Sequence, residues 1–255
     1  MTAQERECLD RMTEILCAER REEPPQLGDE QKAAYFRALC NIRPPRPATE
    51  EFLKAQDEYL TLQTLMRGAA DEGKLHFRDG IALYRGDITR LKCGAIVNAG
   101  NPTLLGCFQP LHGCIDNIIH SRAGVQVRLD CAKIMRGGEA KRGDVILTKA
   151  YNLPCRYILH TVGPQVCGAP ASRDEDDLRK CYRECLSRAA DAKIESVAFC
   201  CISTGIYGYP QDEACRVAVD EVRRSRRGVR VIFDVYTDED TRLYEAMLGM
   251  KAEEI

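Results

Sequence analysis

The segment Ala95-Ile-Val-Asn-Ala-Gly-Asn101 joins a short apolar strand to a turn of small and polar residues. Residues 75–255 repeat this arrangement, with short apolar runs that alternate with amphipathic helical patterns. Alternating strands and helices predict a mostly parallel sheet with right-handed crossovers. Because the apolar runs are nearly continuous, the sheet should be covered by helices on both faces. The predicted fold class is therefore α/β, with a mostly parallel mixed sheet sandwiched between helices.

The strands predicted from apolar runs are Ile81–Tyr84, Ala95–Val97, Val145–Leu147, Tyr157–Val162, Val197–Ile202 and Val229–Tyr236. The helices predicted between and after them are Ile115–Ser121, Val125–Met135, Asp176–Ala192, Gln211–Ser225 and Thr241–Leu248. Ligands of such sheets bind beyond the carboxyl ends of the strands. The loops at those ends are thus where a site is expected.

A run of potential metal ligands follows the first segment: Cys107-Phe-Gln-Pro-Leu-His112-Gly-Cys114-Ile-Asp116. Pro110 and Gly113 prevent a regular helix here, so that two thiols and an imidazole can converge from a bent loop. Cys and His donors suit zinc, and three protein ligands leave a position for water or substrate, as in catalytic zinc sites. The alternative is that these cysteines only fill the core, because the chain has 14 of them and free thiols are commonly buried.

Composition limits the classes of function. The chain has 255 residues, 44% apolar and 30% charged, and a formal charge of −2 that argues against a general nucleic-acid or membrane binder. It has no apolar run near 18 residues and no secretion signal, so we expect a cytoplasmic protein. Cytosolic cysteines are reduced, which favours metal binding or catalysis over disulfides. We expect a monomer, and we interpret the basic residues from Arg223 to Arg230 as favourable charges at a helix end.

Residues 1–74 differ from the rest and predict an N-terminal helical extension. Leu9, Met12 and Leu16 recur at helical spacing, a second helix should follow with Asp29 as its N-cap, and Thr49 should cap a third. None of these helices carries a chemical motif. We therefore expect them to form a packing layer on the domain of residues 75–255.

Two further loops follow predicted strands. Arg85–Thr89 follows the first strand, and Ser203–Pro210 follows the strand that begins at Val197. The second loop contains two glycines just before a helix, where backbone amides can approach a phosphate and the helix dipole favours an anion. Together with the segment ending at Asn101, these loops predict a nucleotide pocket on one rim of the sheet.

Four motifs in these loops resemble those of the macrodomain family, an α/β fold that binds ADP-ribose. Gly86-Asp-Ile-Thr89 resembles its adenine-binding motif, Ile96-Val-Asn-Ala-Gly-Asn101 its ribose-side motif, Cys114-Ile-Asp-Asn-Ile-Ile-His120 its V-D-x-x-I-H motif, and Ser203-Thr-Gly-Ile-Tyr-Gly208 its diphosphate loop. The resemblance covers about residues 75–255, in the family's order. It implies a macrodomain preceded by the 1–74 extension.

The sequence departs from the common macrodomain pattern in two places. Residues 106–114 replace a glycine-rich stretch, and with the helical extension this is similar to the zinc-dependent microbial branch, which removes mono-ADP-ribose from proteins. The resemblance thus implies that Cys107, His112 and Cys114 hold Zn²⁺. The second departure is Gly100 in place of alanine, which we expect to loosen the placement of Asn101.

The resemblance also implies a role for each matching residue. Asp87 would accept a hydrogen bond from the adenine amino group beside the Ile88 backbone, although this carboxylate could instead only form a turn. The diphosphate would bind the backbone amides of Ser203, Thr204, Gly205, Ile206 and Tyr207. Asn101 would contact the distal ribose, whereas Asn98 is interpreted as satisfying the loop backbone.

The implied reaction breaks the bond between ribose C1″ and a protein side chain. Zinc would acidify a water or ribose hydroxyl, while Asp116 and Asn101 would position the reacting groups. One alternative is a reader module that binds ADP-ribose without cleaving it. Another is a purely structural zinc whose fourth ligand is Asp116 or His120.

Overall fold

The computed structural model describes residues 1–255 as three N-terminal helices followed by an α/β sheet. The N-terminal helices are α1 (Ala3–Arg20), α2 (Asp29–Ile42) and α3 (Glu50–Arg67). Thr2 and Glu5 form a capping box at α1, and Thr49 caps α3 through the Phe52 amide, as predicted. The prediction for α2 is wrong in one detail: Gly28 is the N-cap and Asp29 lies in the first turn, where its charge is still favourable.

From the strand at Tyr157 onward, strands and helices alternate strictly, as the apolar pattern predicted. Before it, and after the N-terminal helices, they come in groups, with four strands and two helices followed by two strands, the second of which begins at Tyr157. The strands are β1 (Ala70–Asp71), β2 (Ile81–Arg85), β3 (Leu91–Lys92), β4 (Ala95–Ala99), β5 (Val145–Lys149), β6 (Tyr157–Thr161), β7 (Ser196–Phe199) and β8 (Arg230–Val235). The helices are α4 (Ile115–Ala123), α5 (Val125–Met135), α6 (Ser172–Asp191), α7 (Gln211–Ser225) and α8 (Asp238–Leu248). None of the eight helices has the length and apolar character needed to cross a membrane.

Six strands form one sheet in the order β2-β8-β7-β4-β6-β5, and β1 pairs with β3 in a separate two-stranded ribbon. All pairs in the large sheet are parallel except β5 with β6, so the expected mostly parallel mixed sheet is confirmed. The turns after β2, β4 and β7 therefore share one edge of the sheet. β7 ends at Phe199, three residues earlier than predicted, and Ile202, the predicted last residue of the strand, already lies in a turn.

Two groups of buried side chains hold the chain together. The larger group lines the sheet and the helices that cover it. The smaller group comes from α1, α2 and α3, with Val125 of α5 as its one member from the sheet region. The N-terminal helices thus have a core of their own. They meet the sheet region through α2 against α4, through Val125, and through polar contacts of α3 such as that of Asp57 with Asn152.

Candidate active site

The three candidate zinc ligands converge as expected. Cys107 Sγ lies 3.6 Å from His112 Nδ1, and the ligand atoms of Cys107, His112 and Cys114 all lie within 4.8 Å of one another. Tetrahedral zinc, with Zn–S near 2.3 Å and Zn–N near 2.05 Å, requires a sulfur–nitrogen separation of about 3.6 Å. The donor set and its spacing fit a zinc ion. Asp116 and His120, considered as a fourth ligand, are not members of this group.

Cys114 also begins a helix. It is the N-cap of α4, and its Sγ accepts a hydrogen bond from the Asn117 amide at 3.4 Å. Burial raises the pKa of the Cys114 thiol to about 11, while the hydrogen bond from Asn117 opposes this rise. The buried Asn117 side chain also donates to the Gln109 carbonyl at 2.9 Å. Residues 106–114, called the ligand loop below, are therefore attached to α4 at two points, the Cys114 cap and the Asn117 side chain.

Glycine is required at the start of this loop. Gly106 has a φ of +83°, and a Cβ there would lie 2.8 Å from the ring of His120. His120 is buried, and its Nε2 lies 3.6 Å from Asp116 Oδ1, one helical turn before it on α4. The loop thus passes directly over the His120 ring before it reaches the ligands.

The carboxylate of Asp116 is hydrogen-bonded to a side chain of the sheet. Asn98 Nδ2 donates to Asp116 Oδ1 at 2.8 Å and lies 3.1 Å from His160 Nδ1, while His160 Nε2 lies 2.9 Å from Thr148 Oγ1. Burial raises the pKa of Asp116 to about 6, which the Asn98 hydrogen bond opposes, and burial lowers the pKa of His160 to about 3. The interpretation that Asn98 satisfies the loop backbone is wrong, because its side chain projects from a buried strand towards other side chains.

Asn101, and not Asn98, has the side chain that is hydrogen-bonded to the backbone of the loop. Its Nδ2 donates to the Gly106 carbonyl at 3.1 Å, and its Oδ1 accepts from the amide and hydroxyl of Thr103 at 3.1 and 2.6 Å. One N–H of the Asn101 amide stays available to a ligand. Asn101 therefore shapes the turn that leads into the ligand loop.

Asp87 is both a turn former and one member of a charge cluster. Its Oδ1 accepts from the Thr89 amide at 3.0 Å, and its Oδ2 pairs with Arg122 of α4 and, at 3.4 Å, with Arg67 of α3. Burial would raise the pKa of Asp87, but the hydrogen bond from Thr89 and the charge of Arg122 outweigh it and the pKa is lowered. Sequence reasoning missed both arginines, because no local pattern relates them to Asp87.

The glycine loop presents free donors. The amides of Gly205, Ile206 and Tyr207 donate to no acceptor within the protein, whereas the Tyr209 amide donates to the Ser203 carbonyl at 3.0 Å and closes the loop. Successive free amides can hold anionic oxygens. Burial raises the pKa of Tyr207, and the charge of Asp116 adds to the rise, which is consistent with Tyr207 lying near that carboxylate.

Two surface hollows lie away from this rim. One of about 250 Å³ is lined by Arg78, Arg223 and Arg226, near the amino end of β2, and one of about 440 Å³ is lined by residues between Met135 and Asp191. Neither contains a residue predicted for the site. The rim is favoured because the loops, the free amides and the ligand cluster meet there.

Comparison with known proteins agrees with this geometry. The Macro domain family profile matches residues 97–218. A protein-ADP-ribose hydrolase of Staphylococcus aureus (strain MSSA476) is 46% identical over 226 residues, which are 86% of this chain and 85% of that protein. The chain belongs to the macrodomain family. The resemblance inferred from the four motifs is thereby confirmed.

Other macrodomain relatives extend the comparison. A protein-ADP-ribose hydrolase of Treponema medium is 43% identical, over 88% of this chain and 90% of that protein. The Trypanosoma brucei macrodomain in complex with ADP-ribose superposes with a TM-score of 0.63 at 30% identity, over 83% of this chain and 95% of that one. The Oceanobacillus iheyensis macrodomain gives 0.62 at 33% identity, over 69% and 94%. The last match leaves out much of this chain, whereas both hydrolases match most of it.

Proposed function

We propose that this macrodomain is a protein-ADP-ribose hydrolase that holds a zinc ion on Cys107, His112 and Cys114 and removes mono-ADP-ribose from modified proteins. The hydrolase activity is supported by the relatives of that name from Staphylococcus aureus and Treponema medium, which match over most of their lengths. The zinc is supported by one observation above all: two sulfurs and one nitrogen lie within 4.8 Å of one another, and the last of these ligands, Cys114, is two residues before Asp116.

The rim offers a partner for each part of ADP-ribose. Asp87, ionised at neutral pH because its pKa is lowered, would accept from the adenine amino group next to the Ile88 backbone. The free amides of Gly205, Ile206 and Tyr207 would hold the diphosphate, with Ser203 and Thr204 at the base of the same loop. The remaining N–H of Asn101 would donate to the distal ribose. With these assignments, the terminal sugar would lie beside the ligand loop.

The same residues can assist cleavage at ribose C1″. When bound, zinc supplies a Lewis acid that makes a water or hydroxyl more acidic at neutral pH. Asp116, only 5% exposed and fixed by Asn98, would orient the nucleophile or stabilise positive charge that develops on the ribose. Asn101 keeps the turn that carries the ligands in place. The modified side chain leaves with a proton, and ADP-ribose gains the hydroxyl at C1″.

Release of free ADP-ribose tests this proposal. The substrates would be proteins mono-ADP-ribosylated on carboxylate, hydroxyl or guanidinium side chains, incubated with purified protein, chelator-treated protein and Cys114→Ala. Cys167→Ala is the matched control, because Cys167 is an exposed free thiol outside the ligand loop. We expect chelation and Cys114→Ala to abolish release, with zinc restoring it only to the chelated wild type.

Two results would contradict the proposal in different ways. Unimpaired release by folded, metal-free protein would remove zinc from the mechanism and leave a metal-independent hydrolase. Tight ADP-ribose binding without release from any substrate would replace the hydrolase with the reader alternative.

A further inference from the structure

The N-terminal helix α2 is hydrogen-bonded to the backbone of the ligand loop. Arg37 Nη2 donates to the carbonyl of His112 at 2.9 Å, across 75 residues of sequence. Asn41 Oδ1 accepts from the amide of Leu111 at 3.0 Å, across 70 residues. Both contacts fall between the first and last candidate ligands. The segment whose shape brings Cys107 and Cys114 together is thus fixed by a helix outside the sheet.

The same two side chains also bind α4, which begins at the last ligand. Arg37 donates to Asn117 Oδ1 at 2.7 Å and to Ser121 Oγ at 3.3 Å, and Asn41 Nδ2 donates to Ser121 Oγ at 2.9 Å. Asn117 in turn donates to loop carbonyls. The loop is therefore held between α2 and α4 by one connected set of hydrogen bonds.

The backbone at the centre of the loop needs such support. Leu111 has a φ of 57°, a left-handed conformation that costs free energy for a residue with a Cβ. Its side chain is exposed and offers little packing in return. Its amide, in contrast, is bound by Asn41, which is buried. The bond from the Leu111 amide to Asn41 of α2 therefore helps to stabilise this conformation, together with the turn bond from the His112 amide to the Gln109 carbonyl.

Arg37 is partly buried, yet its guanidinium has no carboxylate as a hydrogen-bond partner. Its hydrogen-bond partners are a carbonyl, an amide oxygen and a hydroxyl, none of them ionised. A half-buried guanidinium without a carboxylate partner is costly, so packing alone would favour an apolar side chain. The planar fork of arginine is suited to binding several acceptors in fixed directions.

We propose that Arg37 and Asn41 are positioning residues for the zinc site, so that the N-terminal extension is part of the catalytic unit and not only a packing layer. The proposal rests on the proposed function in taking Cys107, His112 and Cys114 as the ligands. Substitution of residues that orient metal ligands from outside the coordination sphere commonly weakens metal affinity about 10- to 100-fold. We expect a loss of zinc affinity in that range.

Zinc titration of the full chain tests the proposal. Arg37→Met, Arg37→Lys and Asn41→Ala would be stripped of metal and titrated with zinc against a chromophoric chelator. Arg6→Met is the matched control, because Arg6 of α1 pairs with Asp29 of α2 within the same extension. Hydrogen exchange of the amides of residues 106–113 would be measured in the stripped proteins, together with thermal unfolding.

The expected result is a 10- to 100-fold weaker zinc affinity and faster exchange at 106–113 in Arg37→Met and Asn41→Ala, with Arg6→Met unchanged. Arg37→Lys keeps the charge and loses the fork, so it should show the same loss even if Arg37→Met does not fold. Zinc affinity within twofold of wild type in the folded variants would overturn the positioning role and leave the zinc proposal intact. Should the wild type bind no zinc, the zinc proposal fails by itself, and unchanged loop exchange in the variants then overturns the positioning role.

Discussion

Replacing Asp87 with asparagine is expected to weaken ADP-ribose binding about 10- to 150-fold. The change keeps the shape of the side chain and its Oδ1, which can still accept from the Thr89 amide at 3.0 Å. It removes the negative charge at Oδ2, where Arg122 and Arg67 are paired. The amide group would instead direct N–H donors towards two guanidinium groups or towards the adenine amino group. The substitution therefore removes the adenine acceptor with little change in packing.

The magnitude follows from the kind of hydrogen bond that is lost. A hydrogen bond to a charged acceptor contributes about 1.5–3 kcal/mol, and each 1.4 kcal/mol changes a dissociation constant tenfold. The ion pairs with Arg122 and Arg67 are partly exposed, with side chains 33% and 24% accessible, so their loss should cost only about 1 kcal/mol of folding stability. Binding should thus fall much more than stability.

Isothermal titration calorimetry with ADP-ribose would measure the change, with urea denaturation as the check on folding. Asp71→Asn is the matched control: Asp71 caps a short turn through the Gly73 amide at 2.9 Å, as Asp87 does through Thr89, but lies outside the predicted pocket. An Asp87→Asn affinity within twofold of wild type would refute the assignment of the adenine site. Equal weakening by Asp71→Asn would show that the effect comes from the turn and not from the carboxylate.

Three further substitutions test other parts of the structure. Glu19→Gln should lower the free energy of unfolding by about 1.5–3 kcal/mol at pH 7, since it leaves the buried guanidinium of Arg43 without its carboxylate. Burial would raise the pKa of Glu19, but its bonds to Arg43 outweigh burial and the pKa is lowered. The contribution is complete above the pKa of the unfolded chain and is lost as pH falls through the lower folded value, so the difference between the wild-type and Glu19→Gln urea curves should shrink as the pH is lowered. Asn98→Ala should lower kcat about tenfold by releasing Asp116, with ADP-ribose affinity within threefold; a reduced affinity with unchanged kcat would contradict this. Gly100→Ala should change stability by less than about 1 kcal/mol, because the new Cβ meets its nearest neighbour, a leucine methyl, at 3.2 Å; a larger loss by urea denaturation would show that the turn cannot adjust.

Local features could be predicted well from the sequence. The N-cap Thr49 and the apolar runs of the six sheet strands are each defined by a few neighbouring residues. They predicted the corresponding elements to within a few positions. The spacing of Cys107, His112 and Cys114 predicted their convergence, because Pro110 and Gly113 restrict the loop itself. The zinc ion, the boundary at residue 74 and the roles of the individual residues stay predictions.

The roles of Asn98 and Asn101 show where local reasoning stopped. The two asparagines lie three residues apart in one segment, and the sequence does not tell which one faces the sheet interior. In the structure, Asn98 is buried against Asp116 and His160, whereas Asn101 bonds to the backbone of its own loop. Asn98 lies within β4, which extends to Ala99, and faces Asp116 of α4, whereas Asn101 lies beyond the end of the strand; the strand end and its covered face are set by packing.

The sequence by itself predicted the succession of strands and helices along the chain, the rim where the loops gather and the loop that gathers three potential metal ligands. Only the tertiary structure showed that Arg67 pairs with Asp87. It also showed that Arg37 and Asn41, about 70 residues earlier in the chain, are hydrogen-bonded to the backbone of the ligand loop. The physical reason is range. Periodicity, caps and turns act between neighbours in the chain, whereas contacts between distant side chains exist only after two separately formed surfaces have packed together.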